Sequence, residues 1–300
     1  MSSTHTYKSI FLEPDWAHQK YYGWEVIVSG DGICVLLKKY AFIKRYLVLS
    51  QLDSVQLRQE LLKLKIFGFF SIVTIKDFLN PPQDNGAEIL VEGLRIPKTN
   101  DTEQLLNRYT FVVDLTQEPE KLWSNMNSHT KRLCHKSSVS GVVVECVASP
   151  SDELLSLFFE RYAKMANERS LAIPDAKLIG KMFNEGRLTM YYVRNESEVC
   201  SIVLVYSAGL KSIFLYGVAG KQKNDGSGQF LHWKIIEHLK LSGQHWYDLG
   251  GIPKVDDSNG IYRFKKGFGG EVFDLGCEYF YCHSALLFAK RMYKKFRLAF

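Results

Sequence analysis

The sequence predicts an α/β (α+β) chain of two domains, with mixed sheets flanked by helices. Three observations predict it. The chain has 300 residues, more than one ordinary core accommodates. Short apolar β-like runs alternate with segments of helical spacing, most regularly in the second half. Composition is that of a folded globular chain, 46% hydrophobic and 23% charged, which argues against disorder.

The elements follow in order. Trp24–Val28 and Ile33–Leu37 flank Ser29-Gly30-Asp31-Gly32, a strand, a Gly/Asp turn and a strand, hence a hairpin. Val55–Lys65 carries Leu57, Leu61, Leu62 and Leu64 among charges and predicts a helix. Phe69–Val73 predicts a strand, and Asn80-Pro81-Pro82-Gln83-Asp84-Asn85-Gly86 a loop. Tyr109–Leu115 predicts a strand and Glu118–Ser137 a single basic helix ended by Gly141; Val142–Val147 is the next strand. Ser149-Pro150-Ser151-Asp152-Glu153 has the Pro and acids of a helix start, and the domain boundary is placed there, giving domains 1–148 and 149–300. Helices over Asp152–Asn167 and Asp175–Asn184 precede strands Leu188–Arg194, Val199–Tyr206 and Ser212–Ala219. A Gly-rich loop leads into a mostly buried helix to Leu241, and strand His245–Leu249 ends at Gly250-Gly251. No repeat of fixed period is visible.

Composition narrows the function classes. A net charge of +6 suits a phosphate-bearing partner but does not single out nucleic acid. Cys34, Cys134, Cys146, Cys200, Cys277 and Cys282 show neither C-x-x-C spacing nor a completing His cluster, so reduced cysteines are expected, with no metal. The start MSSTHTYKSIF lacks a signal-peptide pattern, and the longest apolar run, Ile66–Ile75, is too short to span a bilayer. A cytoplasmic protein is expected, with a peripheral place at the inner face of the membrane as the alternative.

The most specific wording is Tyr247-Asp248-Leu249-Gly250-Gly251 followed by Asn259–Glu271, NGIYRFKKGFGGE. Basic groups stand there among aromatics and glycines. Glycine permits close backbone approach to a ligand, and Lys or Arg can meet a phosphate or an oxyanion. Leu122-Trp123-Ser124-Asn125-Met126, then Lys131-Arg132, His135-Lys136 and Gly141-Val142, forms a second distinctive stretch, and Asp15-Trp16 with Gly23-Trp24-Glu25 a third. Together these resemble the Fem-type (FemABX) aminoacyltransferases, which build peptidoglycan cross-bridges from aminoacyl-tRNA on tandem acetyltransferase-like (GNAT-like) domains. The element order of the second half is likewise that of a GNAT-like core. The chain departs from the family in being shorter, in lacking a coiled-coil arm, and in lacking over Ala166–Phe183 the Arg and Tyr pairing associated with a nucleotide-linked muropeptide.

The resemblance implies N-acyl transfer: an amino acid passes from aminoacyl-tRNA to an amine of a cell-envelope precursor, a nucleotide- or lipid-linked amino sugar or muropeptide. The precursor belongs to peptidoglycan or a surface polysaccharide. No cofactor is bound, and no DNA is involved. No Ser-His-Asp or Cys-His motif offers a covalent route, so direct attack is preferred. Phe264-Lys265 matches the family's pair at the reacting groups, with Lys265 stabilising an oxyanion or phosphate. If the segment is extended, Arg263 shares a face with Lys265 and Lys266 points away as a surface contact. Asp248 is either a base (or amine anchor) or the carboxylate that orders the glycine turn. Tyr247 and Tyr262 are placed with the substrate, with a core strand as the alternative for Tyr262. His232 and His245 are expected to be structural. Lys223, Gly226 and Gly228 form a pattern that cradles pyrophosphate in acyl-CoA enzymes, so acetyl-CoA or another acyl-CoA, with an amino-sugar acceptor, is the rival donor scheme. A non-catalytic GNAT-like binding module is the second rival. Lys131, Arg132 and Lys136 suit tRNA or a lipid diphosphate, or else a solvated helix face. The tail Ala285–Phe300 has the pattern of a basic amphipathic helix, for an anionic membrane surface or for packing back on its domain.

Overall fold

A computed structural model of the chain describes residues 7–13, 23–30, 32–78, 88–100, 104, 107–169, 171–196, 198–219, 226–283 and 286. The expected loop Asn80–Gly86, Lys223, Asp15-Trp16 and nearly all of the tail Ala285–Phe300 lie outside these residues. The chain divides into two compact units. One comprises Met1–Tyr109 with Asp274–Phe300, the other Thr110–Phe273. The expected boundary after residue 148 falls inside the second unit, just after a strand that pairs within its sheet.

The first unit holds a five-stranded sheet of order β1-β2-β3-β4-β14. The strands are β1 Glu25–Gly30, β2 Ile33–Tyr40, β3 Ile43–Ser50, β4 Ser71–Asp77 and, from the far end of the chain, β14 Glu278–Cys282. β1, β2 and β3 form an antiparallel meander. Helix α1 (Ser54–Leu64) connects β3 to its parallel neighbour β4, and β14 closes the sheet antiparallel to β4. β2 shows no apolar alternation because both its faces are covered. Ile33, Val35 and Leu37 face the core of α1, with Leu57 and Leu61. Cys34 and Leu36 join Leu47, Leu49 and Phe78 on the other side. Asp53 caps α1, accepting from Val55 N and Gln56 N at 2.9 Å. A small hairpin, β5 Glu88–Val91 and β6 Leu94–Pro97, turns on Glu92-Gly93, both at positive φ, the geometry of a two-residue turn.

The second unit holds a seven-stranded sheet of order β13-β7-β12-β11-β10-β9-β8. Its strands are β7 Tyr109–Asp114, β8 Val143–Val147, β9 Leu188–Asn195, β10 Glu198–Ala208, β11 Lys211–Ala219, β12 Trp246–Ile252 and β13 Glu271–Asp274. β8 to β11 run antiparallel to their neighbours, whereas β12 lies parallel to β11. The helices are α2 Pro119–Asn125, α3 Ser128–Val139, α4 Asp152–Arg169, α5 Ala176–Asn184, α6 Ser227–Leu241 and α7 Gly260–Lys266. As its sequence predicts, α6 is largely buried, through Phe230, Leu231, Trp233, Ile235, Ile236 and Leu239.

Two expectations are corrected here. The basic helix Glu118–Ser137 is two helices, because Met126 and Asn127 are extended. Asn127 caps α3 by accepting from Thr130 N at 2.7 Å, and its own N–H donates to the Gly267 carbonyl at 3.1 Å. The stretch NGIYRFKK is not extended. It is helix α7, started by Asn259, whose side chain accepts from Ile261 N at 2.9 Å and Tyr262 N at 3.0 Å.

Candidate active site

The site is built where β12 ends and α7 begins, within the second unit. β11 and β12 pair in parallel from Lys211–Trp246 to Ile213–Asp248, and both strands continue past that ladder. Beyond it β12 turns through Gly250, whose φ is +83°. A Cβ there would make only ordinary contact, 3.4 Å from the Phe214 carbonyl and 3.6 Å from Lys265 Nζ, so it is the positive φ of the turn that favours glycine.

Asp248 is buried. One carboxylate oxygen accepts from Thr110 Oγ1 at 2.5 Å and from Gly250 N at 2.7 Å. This is the geometry of a carboxylate that orders the glycine turn, the second of its two sequence-based roles. Lys265 comes from α7 and is only 6% exposed. Its Nζ donates to the carbonyls of Gly250 and Gly251, each at 2.8 Å. An ammonium has three N–H groups, so one remains without a partner among the described residues. Burial brings the Lys265 pKa down to about 8, opposed by the charge of Asp248. A buried lysine that is protonated at neutral pH and keeps a free N–H can stabilise an oxyanion or phosphate.

An aromatic wall backs the lysine. The His232 ring lies 5.5 Å from Phe264, 5.4 Å from Phe268 and 4.8 Å from Phe214. His232 Nδ1 and the Tyr247 hydroxyl share a 2.9 Å hydrogen bond, so His232 is the structural histidine expected. Burial, with the charge of Lys265 adding to it, pushes the imidazole down to about 3. Burial likewise raises the Tyr247 hydroxyl. Tyr247 is fully buried and serves this wall rather than a surface that substrate touches.

The remaining site residues divide. Arg263 is exposed while Lys265 is buried. Two residues apart on a helix they point roughly 200° away from each other, so the shared face expected of an extended segment does not form. Lys266 is exposed as expected; it pairs with Asp257 at 2.9 Å and lies over the Tyr262 ring. Tyr262 is half-buried on α7, its ring 6.5 Å from that of Phe111.

The glycines of GFGGE do not line a ligand cavity. A Cβ on Gly267 would sit 2.3 Å from Thr130 Oγ1, on Gly269 2.5 Å from the Asn125 carbonyl, and on Gly270 2.2 Å from the Val112 carbonyl. They let the chain leaving α7 settle against the α2–α3 break and β7. Gly226, with φ +86°, precedes α6, and its Cβ would meet the Leu133 carbonyl at 2.8 Å and Ser137 Oγ at 2.9 Å. It therefore seats α6 against α3. Gly228 faces open space.

Along α3, Thr130, Cys134 and Ser137 are buried. Arg132, His135 and Lys136 are exposed and Lys131 is half-exposed. Lys131 Nζ reaches the Ser124 carbonyl at 2.8 Å. Sequence reasoning missed Thr110 and the two glycine carbonyls. Nothing local marks Thr110, which meets Asp248 across 138 positions. Asn259, directly before an apolar-periodic segment, is a helix-start signal that could have revealed α7. Among the described residues no group of His, Cys, Asp and Glu could hold a metal ion, and no helix is long and apolar enough to cross a membrane. The first unit has an open groove of about 490 Å³ between α1 and the β5–β6 hairpin, and none of the site residues lines it.

The second unit thus has a mixed sheet with a parallel β11–β12 pair at its middle and a buried lysine brought by α7 to the end of β12, and the whole chain has solved structural counterparts. The chain superposes on FemX with a TM-score of 0.70 at 14% identity, covering 95% of each chain. It superposes on L-PGS from Bacillus licheniformis with a TM-score of 0.55 at 14% identity, covering 92% of this chain and 95% of that one. No curated protein gives a significant match. The chain has the Fem-type, GNAT-like fold, and its residues 196–294, which include β12, α7 and Lys265, match the FemAB family.

Proposed function

We propose that this protein is a Fem-type aminoacyltransferase that moves an amino acid from aminoacyl-tRNA to an amine of a cell-envelope precursor, in peptidoglycan or a surface polysaccharide. The observation that carries the reading is Lys265, buried, held on the Gly250 and Gly251 carbonyls with one N–H free, inside the stretch matched to the FemAB family. The amine nitrogen of the acceptor attacks the ester carbonyl of the donor, and the C–N bond forms as the carbonyl oxygen becomes an oxyanion. Lys265, as the ammonium, donates its free N–H to that oxygen or to a substrate phosphate. The intermediate collapses with loss of the tRNA ribose oxygen, and the proton leaving the amine goes to that oxygen. Asp248 holds the Gly250 turn and favours the charged lysine. Phe264 and Tyr247 keep Lys265 dry through the His232 wall.

The exposed Arg132 and Lys136, with Lys131, offer phosphate contacts on α3, and the exposed Arg263 adds one on α7. An acyl-CoA donor is less favoured because the reason for Gly226 is the packing of α6 on α3. A purely binding role leaves the buried Lys265 ammonium without purpose. The test is transfer of a labelled amino acid from a panel of charged tRNAs to amine-bearing envelope precursors, with acetyl-CoA binding by calorimetry in parallel. Transfer from one charged tRNA, lost in Lys265→Met, supports the reading. Saturable acetyl-CoA binding without aminoacyl transfer replaces it with the acyl-CoA scheme.

A further inference from the structure

The five-stranded sheet of the first unit gathers an unusual set of side chains at one end. The β2–β3 hairpin turns there on Ala41-Phe42, flanked by the pair Tyr40–Ile43. Lys44 N donates to the Phe70 carbonyl at 2.9 Å, which places the start of β4 beside the hairpin, and β14 ends next to it with Cys282 opposite Ile72. Exposure is 48% for Tyr40, 65% for Phe42, 51% for Phe69 and 46% for Phe70. Phe42, Phe69 and Phe70 form a continuous cluster. Phe42 meets Phe70 edge-on at 5.2 Å, Phe70 meets Phe69 at 4.8 Å, and Phe69 lies 4.4 Å from His283. Single exposed apolar side chains are ordinary, but a contiguous patch marks an interaction site.

The turn itself breaks a local rule. A two-residue hairpin turn favours Asn-Gly or Gly, yet Ala41 takes φ +51° and a phenylalanine occupies the tip. Such departures concentrate at functional places. Cations ring the aromatics. Lys38, Lys39, Lys44 and Arg45 occupy the same strand ends, with Lys38 over the Tyr40 ring and Arg45 over the Trp24 ring. The carboxylate at these strand ends is Glu25, which pairs with Lys39 at 3.1 Å. Aromatic rings suited to the headgroup level, beside an excess of cations at the same strand ends, match an anionic bilayer rather than a polar protein surface.

We propose that this sheet end, led by Phe42, Phe69 and Phe70, docks the protein on an anionic phospholipid surface. The proposal is independent of the chemistry assigned to Lys265. It is tested with the full chain by co-sedimentation with vesicles of phosphatidylcholine containing phosphatidylglycerol, against phosphatidylcholine alone. Binding is expected to the anionic vesicles, weakened by salt, and reduced on the order of ten-fold or more in Phe42→Ser/Phe69→Ser and several-fold in Lys38→Glu/Lys44→Glu. Phe42→Ser alone, at the most exposed of the four positions, retains the test should the double variant misfold by circular dichroism. Absence of binding overturns the proposal, as does unchanged binding by both the aromatic and the charge variants. A concentration-dependent dimer in light scattering, lost in Phe42→Ser, also overturns it, since the patch would then be the seat of a second copy.

Discussion

Lys265 on α7 donates to the carbonyl of Gly250 at the end of β12, 2.8 Å away, so one side chain ties the helix of the site to the sheet that carries it. The ammonium thus uses two donors on the Gly250 and Gly251 carbonyls, and its third has no partner among the described residues. Lys265→Met is expected to lower the aminoacyl-transfer rate on the order of 10²–10³-fold, with the fold retained by circular dichroism.

The pH profile of that rate tests the same group. The acceptor amine must be neutral, so its reactive fraction rises with pH, whereas the Lys265 ammonium is lost as pH passes about 8. The profile of kcat/KM is therefore a bell with its falling limb near 8. In Lys265→Arg, whose charge persists, the falling limb should vanish even if the rate is low. A falling limb that stays near 8 in this variant would remove Lys265 from the reaction.

The glycines separate structure from ligand binding. Gly270→Ala drives a Cβ to within 2.2 Å of the Val112 carbonyl and should cost about 3 kcal/mol in urea unfolding. Gly228→Ala meets nothing within 4 Å on the second residue of α6 and should stabilise by about 0.5–1 kcal/mol. If Gly228→Ala abolishes transfer while remaining stable, the α6 N-terminus is a donor cradle after all.

Strands β7 to β12 of the second unit and α6 were legible in the sequence because apolar runs bounded by turns leave a periodic mark, whereas the four-residue β13 was not. Lys265 was legible through its wording, YRFKKGFGGE, although its partners were not. The conformation around it was misread because the segment is only about two turns of helix long and its one start signal, Asn259, was not used. The glycines were read as room for a ligand, whereas they make room for Asn125, Thr130 and Val112, brought there by long-range packing. Asp248 was legible as two alternatives, and its bond from Thr110, distant in sequence, was not visible beside the local one from Gly250 N. That β14 returns to the first sheet was invisible, since its partner β4 lies some two hundred residues earlier.

The His232–Tyr247 pair makes stability depend on pH on the acid side. The imidazole pKa is about 3 in the folded chain against roughly 6.5 unfolded. Between those values the unfolded state binds more protons, so stability rises with pH across that window and is lost as pH falls from 6.5 toward 3. Urea midpoints should therefore drop steadily below pH 6.5. Tyr247→Phe leaves the buried His232 Nδ1 without its partner and should cost about 1–3 kcal/mol at neutral pH. A variant as stable as wild type would mean the 2.9 Å hydrogen bond contributes nothing.

The proposed tRNA donor makes the cations of α3 testable. Arg132 and Lys136 are exposed, and Lys131 bridges to the Ser124 carbonyl at the end of α2. If tRNA phosphates lie along this face, each neutralised phosphate adds to the dependence of binding on salt. Arg132→Glu/Lys136→Glu should weaken tRNA binding at least ten-fold at low salt and lower the slope of log K against log[salt] by about 1 for each phosphate left without its cation. Both residues point away from the buried Thr130, Cys134 and Ser137, so melting should move little. An unchanged salt slope would assign these cations to solvent and shift the search for phosphate-binding groups to Arg263, exposed on α7.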